Sequence, residues 1–209
     1  MLLLAAITLP ARAQDALDRL DMQAHAAYDA QNYVDAIKLW SELIKQDPKN
    51  SGAFFNRATA YEDSNQPDKA IADFSEAIRL DPGDPQAHIR RGHLYDAADR
   101  KDDAAADYTE AARIHPGDAE ALDWLADYHA GRGENEKAVA DYTAIIQAHP
   151  NDAAGYYGRG TFYLDHERDF ASAVTDFTQG IKLMPRPDGY CARGLAYLGK
   201  GDFENALAD

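Results

Sequence analysis

The segment AFFNRATAYEDSNQPDKAIADFSEAIRLDP, residues 53–82, recurs with edits as AHIRRGHLYDAADRKDDAAADYTEAARIHP, residues 87–116, an offset of 34. The same columns extend in both directions. Small residues stand at Ala24, Ala58, Gly92, Ala126, Gly160 and Gly194, and alanines at Ala36, Ala70, Ala104, Ala138, Ala173 and Ala206. Aromatics stand at Trp40, Phe74, Tyr108, Tyr142 and Phe177, and prolines close each unit at Pro48, Pro82, Pro116, Pro150 and Pro185. A fixed period of this length constrains the fold severely. Each unit is one supersecondary element whose apolar face is buried only by its neighbours.

Each unit reads as two antiparallel helices. In the second unit they are expected at about residues 52–64 and 67–80. Pro67 suits a first helical position, where no N–H is needed. Asn50, Asp84, Asp118 and Asp152 stand just before the first helices, where their side chains can accept orphan backbone N–H groups. The small residues let two helix backbones approach closely. The aromatics, with Tyr61, Tyr95, Tyr163 and Tyr197, fill the spaces between helices. Two further columns are charged: Arg57, Arg91, Arg159 and Arg193, and Asp73, Asp107, Asp141 and Asp176. They suggest an Arg–Asp ladder, within a unit or to the next, interrupted at Leu39 and at Leu125 beside Asp141. The fifth unit departs from the period, with steps of 35 and then 33 between its alanine and those on either side. The extra residue is expected in the turn at 166–169, with a shorter inter-unit turn after it.

On these columns the chain resembles the tetratricopeptide repeat family, over roughly residues 17–209. The resemblance implies an all-α fold, a right-handed α-solenoid of antiparallel helix pairs, with about five and a half units. Their expected bounds are 17–50, 51–84, 85–118, 119–152, 153–186 and an incomplete 187–209. The resemblance also implies a general role, a protein–protein interaction scaffold or adaptor that holds a peptide or protein segment in a concave groove lined by the first helices. Carried over residue by residue, that groove would be lined by Tyr28, Phe55, Asn56, Ile89, Arg90, His93, Trp124, Asp127, Tyr157 and Thr161. Asp21, Met22, His25, Thr59, Asp123, Leu164, Cys191 and Leu195 stand at further inward positions. Phe55 and Tyr157 read equally as packing on an adjacent helix. Family members that clamp a chaperone's C-terminal carboxylate use lysines, asparagines and an arginine. Asn56 and Arg90 match that set. Asp21 stands where it has a lysine, and His25 and Gln86 also differ, so that function is not expected.

The formal net charge of −15 leaves no basic stripe for nucleic acid and suits a basic partner at encounter. No G-x-S-x-G, H-E-x-x-H or Walker-type loop is present, so neither catalysis nor a cofactor is expected. The single Cys191 excludes an internal disulfide or a cysteine zinc site. His88 and His93, five residues apart, do not share a helical face well enough for a metal. His115 and His149 are equivalent residues of the repeat, and His129 occupies the tyrosine column and reads as core packing.

Residues 2–9, LLLAAITL, followed by Pro10 and Ala11-Arg12-Ala13, look like the later part of a secretory signal cut after Ala13, without its basic start. The run is too short to span a bilayer, and it would also serve as an apolar helix on the first repeat. The expectation is an exported protein of the bacterial periplasm, with residues 14–209 as the array and no membrane insertion after cleavage. In the incomplete last unit, Leu195, Tyr197, Phe203 and Leu207 are expected to be partly uncovered. That favours a continuing chain, such as a longer envelope enzyme of which this is the recognition region, or self-association of this end.

Overall fold

The structure, a computed structural model, describes residues 11–209, with side chains from Gln14 onward. The apolar run of residues 2–9 and the cleavage site's side chains lie outside the described residues. Among the described residues every regular element is helical. The chain divides into two compact units after Leu94.

The first unit holds α1 (Ala11–Asp29), α2 (Tyr33–Gln46), α3 (Ser51–Asp63), α4 (Pro67–Leu80) and the start of α5 (Pro85–Ala97). Helix α1 packs on α2, α2 on α3 and α3 on α4. The core is built from the recurring columns: Ala24, Ala36 and Trp40 in one cluster, and Ala58, Ala70 and Phe74 in the next. The second unit holds the end of α5, then α6 (Lys101–Ile114), α7 (Ala119–Gly131), α8 (Asn135–Ala148), α9 (Ala153–Phe162), α10 (Phe170–Leu183), α11 (Pro187–Lys200) and α12 (Phe203–Ala208). From α6 onward each helix packs on the next in sequence. Tyr142 and Phe177 are buried here as Trp40 and Phe74 are in the first unit.

The caps follow the sequence. Asn50, Asp118 and Asp152 accept the N–H groups of Ala53, Ala121 and Ala154, and Asp84 accepts that of Gln86. The first helix of every repeat but the fifth ends in one stereotyped way. The N–H groups of Asn32, Gln66, Arg100, Glu134 and Asp202 donate to the carbonyls of Ala27, Tyr61, Tyr95, His129 and Tyr197, five residues back. The residue before each of those donors is left-handed: Gln31, Asn65, Asp99, Gly133 and Gly201. Asn, Asp and Gly accept that conformation readily, and glutamine does not.

The fifth repeat absorbs its extra residue in this closure. Residues Tyr163–Glu167 form a π-turn, Arg168 takes the left-handed position, and the Asp169 N–H reaches six residues back to the Tyr163 carbonyl. The insertion thus begins earlier than the sequence placed it, and a π-turn is how a helix takes in one residue without breaking. The connection from α10 to α11, residues 184–186, is one shorter than the four-residue connections before it.

The charged columns form forks within a repeat. Arg57 donates from Nε and Nη2 to both Asp73 oxygens, at 2.6 and 2.8 Å, and Arg159 does the same to Asp176, at 2.8 and 2.9 Å. Arg193 pairs in this way with Asp209. The third nitrogen reaches into the preceding repeat. Nη1 of Arg57, Arg91, Arg159 and Arg193 donates to the hydroxyls of Ser41, Ser75, Thr143 and Thr178. A planar guanidinium serves both acceptors at once, which an ammonium would not. In the fourth repeat, where Leu125 replaces the arginine, His129 Nδ1 meets Asp141 at 2.7 Å. His129 is therefore a polar partner for a half-buried carboxylate, not core packing as its column suggested.

Candidate functional site

The first-helix positions expected to face a ligand separate into those the fold consumes and those it leaves open. Ile89 is only 1% exposed and is part of the core. It is branched and apolar, and it is buried like its helix neighbours Ala87 and His88. Tyr157, 4% exposed, packs in the cluster around Phe177, donates its hydroxyl to the Met184 carbonyl at 2.7 Å, and carries the Arg186 guanidinium 3.8 Å over its ring. Ile89 presents no surface to a ligand; Tyr157 is held by these contacts and still forms part of a cavity wall.

In the first unit the candidates are largely engaged with one another. Tyr28 donates its hydroxyl to Asp63, and burial, then that carboxylate, push its hydroxyl up to about 12. Phe55 stands edge-on to Phe74, with ring centroids 5.4 Å apart. Asn56 Nδ2 lies 3.4 Å from His25 Nε2, and the indole N–H of Trp40 donates to Asp21 at 3.0 Å. Arg90 lies 3.5 Å from Glu62, whose carboxyl is pushed up by burial, with Arg90 opposing. The residues that match a carboxylate clamp are thus answering groups of this chain. His93, at the same end of α5, is half-buried.

The second unit is different. Trp124 and Tyr128, one turn apart on α7, stack at 16° with centroids 5.4 Å apart, and the buried Tyr108 supports Trp124 from behind at 4.5 Å. Trp124 stands in the column that holds Asn56, Arg90 and Gly158 elsewhere. It forms a wall of a cavity of about 600 Å³ that is also lined by Tyr128, Asp127, Arg132, Asp102, Asp96 and Lys101. That volume lies in the range of small-ligand or side-chain pockets. The cations of this lining are already matched. Lys101 pairs with Asp96, and Arg132 sits over the Tyr128 ring at 5.4 Å between Asp102 and Glu134. Tyr128 donates its hydroxyl to Asp102 at 2.6 Å.

A second cavity, of about 350 Å³, shares Asp127 and is lined by Thr161, Gly158, Phe162, His166 and Arg186. A Cβ on Gly158 would lie 2.6 Å from the Tyr142 ring, so the column that holds a tryptophan in one repeat must be bare in the next. His166, on the π-turn, stacks on Phe162 at 13°. The irregular residue of the fifth repeat therefore lines a cavity, which the sequence did not signal. Asp127 accepts the Tyr142 hydroxyl at 3.1 Å. One turn earlier, loss of water around its carboxyl and then the Asp127 charge push the Asp123 carboxyl up.

Among the described residues no group of three or more His, Cys, Asp or Glu is placed to hold a metal, and no helix is long and apolar enough to cross a membrane. Cys191 is free and exposed.

Known structures resemble this one. The MamA protein matches with a TM-score of 0.70 and 20% identity over 81% of this chain and 92% of that one. A tetratricopeptide repeat protein from Parabacteroides merdae matches at 0.73 and 18% over 93% and 77%. YrrB, described as a repeat protein with an unusual peptide-binding site, matches at 0.67 and 16% over 90% and 97%. At these identities the likeness is one of fold. Among curated proteins none matches the sequence. The family model for the tetratricopeptide repeat matches residues 22–85, 89–153 and 125–182, most of the chain, from the first repeat into the fifth. The chain therefore belongs to the tetratricopeptide repeat family.

Proposed function

We propose that this chain is an interaction module, an adaptor or scaffold that holds a segment of a partner protein against α7 at the Trp124–Tyr128 cavity, and that it works by binding rather than catalysis. One observation carries the reading: a half-buried, ring-supported tryptophan opens onto a cavity in the fourth repeat, where Leu125 replaces the arginine of the column. Large aromatics in such settings supply most of the energy at protein interfaces. The peptide-binding site named for YrrB is in keeping with it. The engaged state of Asn56 and Arg90 favours the second unit over the first as the place of binding. The apolar run of residues 2–9 before Ala11-Arg12-Ala13 supports export to the periplasm, which N-terminal sequencing of the protein from an envelope fraction would check.

The test is affinity capture from envelope extract on the wild-type chain and on Trp124→Ala, with helicity checked by circular dichroism. A set of proteins held by the first and lost by the second is expected, at a cost of roughly 2 kcal/mol or more in affinity. Equal capture by a folded variant would remove Trp124 from the site. A second reading, self-association, is favoured by Leu195, Leu198, Phe203 and Leu207, all exposed, with Leu207 at 91%. Light scattering across concentrations tests it, and a constant mass would dismiss it.

A further inference from the structure

We infer that the α7 cavity takes a basic side chain, lysine or arginine, from an extended segment of its partner, with the methylene stem along Trp124 and Tyr128 and the charge at Asp127. This rests on the reading of the cavity as the partner's seat and adds the chemistry of what enters it.

The charges around the wall are unevenly matched. Of the carboxylates in the lining, Asp96 is met by Lys101 and Asp102 by Arg132. Asp127 is met only by the Tyr142 hydroxyl, and its neighbour one turn back, Asp123, adds a second negative charge to the same helix. Among the described residues no cation pairs with either. Asp127, exposed at the lining, is therefore the carboxylate left for a partner's cation to meet. A long basic side chain is the amino-acid group that brings a charge together with apolar length, laying its stem on rings while its head stays wet. Arg132 shows that the surroundings suit such a group: its guanidinium lies over the Tyr128 ring and also meets Asp102. An acidic side chain would face Asp127 in the lining, with Asp123 one turn back on the same helix, and like charges disfavour binding. The chain's net charge of −15 adds long-range attraction in the same sense.

The probes are three acetylated, amidated hexapeptides, identical except for arginine, glutamine or glutamate at three alternate positions. The two indole N–H resonances of Trp40 and Trp124 are followed on the full chain, assigned with Trp124→Phe. Trp40 lies in the first unit, bonded to Asp21, and serves as the fold control. The arginine peptide is expected to shift the Trp124 resonance saturably and to bind at least about five-fold more tightly than the glutamine peptide, the scale of one partly exposed ion pair with a ring contact. Asp127→Asn should lower that affinity about three- to five-fold. Asp68→Asn, an equal change of net charge on the exposed side of α4, should leave it unchanged. If Asp68→Asn weakens binding as much as Asp127→Asn, the effect is general charge and the inference falls. If the glutamine or glutamate peptide shifts Trp124 as well as the arginine peptide does, the cavity binds peptides without selecting charge, and this inference falls alone. If none of the three moves Trp124, the cavity reading falls with it.

Discussion

The second and fourth repeats follow one pattern and answer it differently. In the second, Arg57 grips Asp73 with two bonds and reaches Ser41 with a third, and the position equivalent to Trp124 is Asn56, half-occupied by His25. In the fourth, Leu125 takes the arginine's place, His129 answers Asp141 with one ring nitrogen, and Trp124 opens onto a cavity. Where the column is kept, polar side chains knit one repeat to the previous one. Where it is lost, a weaker substitute holds the carboxylate, and the adjoining helix face carries rings in place of amide and guanidinium. The recurring columns are therefore chiefly architecture, and the departures from them are where recognition chemistry has room.

The largest expected effect is on the fork. Arg57→Ala leaves Asp73 buried and unpaired and should cost about 3–5 kcal/mol of local stability. His129→Ala strands Asp141 less severely and should cost about 1–3 kcal/mol. Urea denaturation reads both: Trp40 fluorescence in a Trp124→Phe background reports the first repeats, and Trp124 fluorescence in a Trp40→Phe background reports the fourth. Equal losses would break the contrast. A double-mutant cycle on Arg57 and Asp73 sharpens it, since a bidentate pair should couple strongly.

Next comes pH. Burial pushes the Asp141 carboxyl up, with the His129 hydrogen bond opposing. A carboxyl raised in the folded state binds more protons there than when unfolded. Stability then falls as pH rises from the ordinary aspartate range, about 3.9, through the raised value. Stability measured at closely spaced acidic pH should be less steeply negative in that range for Asp141→Asn than for the wild type, the raised Glu62 and Asp123 carboxyls contributing in the same sense to both. A slope unchanged by the substitution would assign the effect elsewhere.

The smallest effects are in the turns. Gly133→Ala, at φ 72° with open space around it, meets only backbone strain and should cost about 1–2 kcal/mol. Gln31→Gly and Arg168→Gly, at φ 58° and 53°, relieve the same strain and should gain up to about 1 kcal/mol, less what glycine's added freedom removes from the unfolded side. Thermal melting separates the signs, and a loss at Gln31 would mean that its side chain does more than fill the turn.

The period of 34 was enough to read the helix pairs, because Ala, aromatic and proline columns each have one mechanical use. The caps at Asn50 and Asp118 were legible for the same reason. The Arg–Asp ladder was visible, but the hydroxyls of Ser41, Ser75, Thr143 and Thr178 were not singled out, although each directly follows an aromatic of its column. Ile89 was misplaced because an inward position on a first helix is buried or open according to what the next helix brings, and the repeat pattern does not report this; Tyr157, read both as groove and as packing, packs on Phe177 and also forms part of a cavity wall. The cavity beside Trp124 depends on rings from α6 and α7 meeting, and the role of His129 depends on a missing arginine four residues earlier. Both are relations between columns. The π-turn was legible as one extra residue and illegible as a wall of a cavity.

The most direct measurement compares column-equivalent variants, Trp124→Ala and Asn56→Ala, in capture from the same envelope extract. Trp124→Ala is expected to lose the proteins held by the wild type while Asn56→Ala retains them. Retention by Trp124→Ala together with loss by Asn56→Ala would contradict it and move recognition to the first unit.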